Sequence, residues 1–124
     1  MTSDKIIRHW QQGAEDAFGL AQHAYATGKY ELALFHCHLA VEKALKAAYM
    51  KHRHKDHTKI HNLLEIALAL DRPWTEEQQD QLEVLSDYAV SARYEDPAWA
   101  EQYATEDNTR LWLERVRNFL SILS

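Results

Sequence analysis

Apolar residues along this chain recur at three- and four-residue steps, which places them on single faces of helices. Ile6, Ile7, Trp10, Ala14, Ala17, Phe18, Ala21, Ala24 and Tyr25 predict a first helix from about Ser3 to Thr27. Ser3 or Asp4 can cap its start, and Gly28 supplies a left-handed residue to end it. After a short link, Tyr30 to Met50 has full helical spacing and no breaker. A shorter helix is expected from about His61 to Leu70, ended by Arg72-Pro73 because the residue before proline disfavours helix. Thr75-Glu76-Glu77-Gln78 reads as a capping box that opens a fourth helix, with Leu82, Leu85, Tyr88, Ala89 and Ala92 facing inward. Arg93 to Thr105 reads as a connection, with Pro97 forcing an extended or turn conformation at Asp96. A last helix spans about Glu106 to Leu123, its stripe formed by Trp112, Val116, Phe119, Leu120 and Leu123.

The helix at Tyr30–Met50 stands apart from the others. Ala33, Cys37, Ala40, Val41, Ala44 and Ala48 make one face, while Leu32, Phe35, Leu39 and Met50 cover much of the opposite side. A helix apolar nearly all round must be covered nearly all round. It is therefore expected to be the central rod of a bundle, partly sheathed by a second protein surface. Its small residues allow close antiparallel neighbours.

Composition points to the same class. A chain of 124 residues with three Gly and two Pro has little turn punctuation, which favours few, long elements. One domain over residues 1–124, all-α, is expected. The net charge of −5 argues against broad affinity for nucleic acid. Lys51, Arg53, Lys55 and Lys59 nevertheless cluster among histidines. The single Cys37 reads as a small buried hydrophobe in a reducing compartment. No apolar run approaches the roughly 18 residues of a membrane span, and the first residues lack a signal-peptide layout. A cytoplasmic location is expected.

Candidate chemistry is sparse. His52, His54, His57 and His61 invite a metal reading, but lysines interleave them, so a solvated loop is expected and no metal site. Arg93, Tyr94, Glu95 and Asp96 bring a cation, a phenol and two carboxylates to the end of a helix. Glu42, Lys43 and Lys46 interrupt the central rod, and the Glu42–Lys46 spacing supports the helix by about 0.3–0.5 kcal/mol. These charges either form a solvent stripe or line a groove. There is no phosphate-binding glycine loop and no nucleophile elbow, and neither a catalytic residue nor a cofactor is expected.

Taken in order, Gly28-x-Tyr30, Ala33-x-Phe35, Ala40-Val41-Glu42-Lys43-Ala44-Leu45-Lys46-Ala47, His61-Asn62-Leu63, Tyr88 and Ala92-Arg93-Tyr94-Glu95-Asp96 resemble a known family. The family is the HEPN domain, named for higher eukaryotes and prokaryotes nucleotide-binding. The last box resembles its usual ARYPD. The resemblance implies an up-and-down bundle of four to five helices that forms a homodimer. It further implies a minimal nucleotidyltransferase as partner, in a toxin–antitoxin-type pair, with nucleotide or RNA as possible ligand. Family ribonucleases use an Arg and a His with four to six residues between them. No arginine here has a histidine at that spacing; after Arg53, His57 comes too early and His61 too late. The expected function is thus a dimeric binding module, with Arg93, Tyr94, Asp96, Glu42, Lys43, Lys46 and His61 as ligand- or partner-binding residues. In that reading Arg93 holds a phosphate or a partner's carboxylate, Tyr94 stacks or donates a hydrogen bond, and Asp96 orients Arg93. The alternatives are a ribonuclease toxin with a divergent site, drawing on His61 or His57, and a nucleotide-binding subunit.

Overall fold

A computed structural model describes residues 2–53 and 62–124. Among these residues there are six helices and no strand: α1 (Ser3–Ala26), α2 (Tyr30–Arg53), α3 (Leu63–Leu68), α4 (Glu76–Arg93), α5 (Pro97–Tyr103) and α6 (Glu106–Leu123). None is long and apolar enough to cross a membrane. His54, His57, His61, Lys55 and Lys59 lie outside the described residues.

Helix boundaries follow local chemistry. Thr2, one residue before the predicted caps, opens α1 by accepting from the Lys5 N–H. Gly28 takes a φ of 76°, and the Lys29 N–H returns to the Ala24 carbonyl at 2.8 Å, the closing bond of a Schellman turn. The chain then reverses into α2, antiparallel to α1. Thr75 and Gln78 form the predicted capping box, at 3.0 and 2.9 Å. Helix α5 is one element more than the hydrophobic pattern predicts. Asp96 accepts from the Ala98 and Trp99 N–H groups at 3.0 and 3.4 Å, and Pro97 occupies the first helical position. The residues read as a turn therefore also serve as a helix start.

Helix α2 is the central rod, in contact with α1, α3, α4 and α6. Against α1 the seam is built of small residues: Ala14, Ala17 and Ala21 meet a face holding Ala33, Cys37, Ala40 and Ala44, all buried. Helix α6 closes the bundle with Trp112, Val116 and Phe119, and the Trp112 ring stands 5.6 Å from Tyr88 of α4. Burial pushes the Cys37 thiol up to about 12, so it stays protonated and unreactive near neutral pH.

A close seam of alanines predicts an asymmetry in what α1 tolerates. Ala21→Leu should cost about 1–3 kcal/mol by overpacking. Leu20→Ala, at a neighbouring position that is 54% exposed, should stay within about 0.5 kcal/mol of the parent. Urea unfolding curves measure both; equal stability for the two variants would mean that the seam is loose.

Candidate functional site

The box Arg93-Tyr94-Glu95-Asp96 is the joint between α4 and α5. Arg93 is the last residue of α4 and is exposed, Tyr94 is its C-cap and 77% exposed, and Glu95 adopts a φ of 51°. The Asp96 N–H reaches back to the Ser91 carbonyl at 3.2 Å, so Glu95 plays the part that glycine usually takes at a helix end. Asp96 spends its Oδ1 on the cap of α5, and no bond joins it to Arg93 among the described residues. The expectation that Asp96 orients Arg93 finds no support in this geometry, because the carboxylate is committed to backbone donors.

Arg93 stands at a cleft of about 480 Å³ between α2 and α4. Phe35, His38, Leu39 and Glu42 contribute the α2 wall, while Ala89 and Val90 join Arg93 on the α4 wall. Asn62 and Ser86 close one side, and both are in structural use: Asn62 caps α3, and the Ser86 hydroxyl accepts from the Leu63 N–H at 3.3 Å.

Beneath this cleft, α2 carries a ladder of polar side chains one turn apart. His38 Nε2 lies 3.5 Å from Glu42 Oε1, and Lys46 Nζ donates to Glu42 Oε2 at 3.2 Å. Lys46 is only 3% exposed, and its ammonium also sits 5.4 Å from the centre of the Trp10 ring on α1. The three predicted α2 residues thus part company. Glu42 lines the cleft, whereas Lys46 meets Trp10 and Lys43 lies along α1, its Cδ only 3.0 Å from where a side chain at Gly13 would begin. The absent side chain at Gly13 is what lets the Lys43 stem approach α1. Of the predicted set, then, the structure brings Arg93 and Glu42 together. Tyr94 and Asp96 sit on the adjoining joint, Lys43 and Lys46 face α1, and His61 lies outside the described residues. His38, Phe35, Asn62 and Ser86 line the cleft without having been among the expected binding residues, although Phe35 and Asn62 stand in the motifs that carry the family resemblance. His38 could have been flagged by its spacing to Glu42, one helical turn on an otherwise apolar rod. No group of three or more metal-ligating side chains occurs among the described residues.

A family model for the HEPN domain matches residues 7–124. The chain belongs to the HEPN family. The solved structures include a similar fold, the crystal structure of TT1696 from Thermus thermophilus. It is 24% identical, its TM-score is 0.81, and 94% of each chain is covered. No curated protein matches the chain. In this HEPN domain the AVEKALKA core of the central helix is the segment carrying the Glu42–Lys46 pair, and the ARYED box is the α4–α5 joint.

Glu42 is the hinge of that ladder, and its removal would leave Lys46 buried without its carboxylate. Glu42→Ala should cost about 3–5 kcal/mol, as expected when one partner of a buried pair is deleted. Chemical denaturation of this variant beside Lys43→Ala, which removes a half-buried side chain outside the pair, is the check. A loss no larger than that of Lys43→Ala would show that Glu42 is not held in the ladder.

Proposed function

We propose that this HEPN chain is a binding module whose ligand site is the Arg93 cleft. The observation that carries the reading is a charge imbalance within the cleft. Glu42 is neutralised by Lys46, whereas Arg93 has no ion-pair partner among the described residues. An exposed guanidinium beside an apolar wall suits a phosphate group or a partner's carboxylate. Phe35, half-buried on that wall, offers a ring for a base to stack on. A nucleotide supplies both parts, a phosphate for Arg93 and a base for Phe35.

Leu32, Val90 and Tyr94 are exposed on the elements that wall the cleft. Exposed apolar side chains around a binding cleft suit a second subunit, so the module is read as a homodimer. A minimal nucleotidyltransferase partner and a toxin–antitoxin role belong to the same reading and rest on family membership alone, and a cytoplasmic setting rests on the sequence pattern. ATP at a hundred times its dissociation constant should add about 2.7 kcal/mol of stability, roughly 10 °C in Tm. Arg93→Ala should remove that shift while leaving the free protein's Tm close to the parent's. A flat response across a panel of nucleotides would sink the reading.

One feature favours a second reading, a ribonuclease with a divergent site. His38 places an imidazole in the Arg93 cleft, oriented by Glu42, where the chain's arginines lack a histidine at the family spacing. Such a pair has the chemistry for proton transfer beside a held phosphate. Cleavage of structured RNA that disappears in both His38→Gln and Arg93→Ala would establish this activity. Cleavage that persists in either variant would dismiss it.

A further inference from the structure

One carboxylate on α2 stands between two nitrogen bases. Glu42 Oε2 accepts from Lys46 at 3.2 Å, and Glu42 Oε1 lies 3.5 Å from His38 Nε2. His38 and Glu42 both line the Arg93 cleft, where His38 is 6% exposed. The centre of the His38 ring is 6.3 Å from that of Phe35, so the imidazole shares a wall with the ring offered to a base. With His38 neutral, the Lys46 ammonium alone balances the carboxylate.

A proton on His38 changes that sum. Two cations then share one carboxylate, at a depth where water screens charge poorly. Across the cleft, on α4, Arg93 adds a third positive charge. Among the described residues, Glu42 and Arg93 are the other titratable side chains lining the cleft, with Lys46 behind Glu42; Asn62 and Ser86 are uncharged. An anion held by Arg93 supplies the missing negative charge, so the occupied cleft tolerates the imidazolium better than the empty one. A group more readily protonated in the bound state takes up a proton on binding, and affinity then rises as the pH falls.

We propose that an anion entering the Arg93 cleft brings a proton onto His38, so that the site binds more tightly under acid conditions. This regulation rests on the reading of that cleft as a phosphate or carboxylate site. The proton comes from solvent and returns there when the anion leaves. Histidine suits the task, since its charge changes between about pH 5 and 8. No contact between ligand and imidazole is needed, because charge acts across several ångströms in a partly closed cleft. Arg93 thus holds the anion, and His38 sets the pH at which it is held well.

The test uses the full chain and a thymidine dinucleotide, whose bases and diester phosphate keep one charge state over the histidine range of about pH 5 to 8. Any pH dependence of binding then belongs to the protein. The dissociation constant should tighten about tenfold from the alkaline to the acid end, the effect of a one-unit change in one linked group. Calorimetry in two buffers of different ionisation enthalpy should show net proton uptake, and the Cε1 proton resonance of His38 should titrate at higher pH with ligand than without. His38→Gln, which keeps a donor for Glu42, should bind with a flat pH profile. The proton count and the ring titration are read on the parent, so they decide the matter even where that variant does not fold. Binding with equal affinity at both ends of the range, or a pH dependence that survives His38→Gln, would overturn the proposal and leave the cleft standing as a site. No binding at any pH would remove the cleft reading and the proposal with it.

Discussion

A helix covered on nearly every side must satisfy whatever polar groups it carries from within, and α2 carries three on one line. His38, Glu42 and Lys46 recur at one-turn intervals, so a single carboxylate serves an imidazole on one side and an ammonium on the other. Removing a charged pair from water is costly, and it is repaid only where geometry and further contacts are good. Here the carboxylate meets both neighbours along its own helix, and Trp10 of α1 covers the ammonium. The ladder thus ties the central rod to α1 on one side and forms part of the Arg93 cleft on the other.

That division sets the electrostatics of the cleft. Were Lys46 turned toward α4, Glu42 and two cations would share the space, and any ligand would meet a crowded field. Because Lys46 and Lys43 both lie against α1, Glu42 is already neutralised where Arg93 comes near. Arg93 is left as the cleft's cation, on an exposed helix end where reaching a ligand costs little desolvation. The small-residue seam between α1 and α2 is part of the same arrangement, since only a close approach lets Trp10 and the backbone at Gly13 reach these lysines.

Much of the fold was legible in the residues because its signals are local. Gly28 ends a helix through bonds within five residues, and the Thr75–Gln78 box is complete within four. The rod at Tyr30 shows its burial in its own composition. Helix α5 was not legible: Asp96-Pro97 signals a turn and a helix start equally well, and a seven-residue helix is too short for a periodicity to choose. What holds it is Trp99 against Tyr88, a contact between elements. The site divides in the same way. The Glu42–Lys46 pair could be read from its spacing, but which neighbour Lys46 faces depends on tertiary structure. His38 passed for one more residue of the rod, because its place in a cleft exists only once α4 lies alongside.

The joint between α4 and α5 turns on one residue of unusual backbone conformation, Glu95. A glutamate at φ 51° is in a region that costs a non-glycine residue about 1–2 kcal/mol. A proline at this position, as in the usual ARYPD box, could not adopt it, since the ring holds φ near −65°. The left-handed residue lets the chain turn at once from one helix into the next, with Asp96 closing the first and capping the second. Arg93, the last residue of α4, lies on the α2 side by the register of α4 itself, while the turn lets Trp99 of α5 fold back on Tyr88. The strained residue thus sets where α5 begins relative to the end of α4, and the packing of Trp99 on Tyr88 offsets its cost.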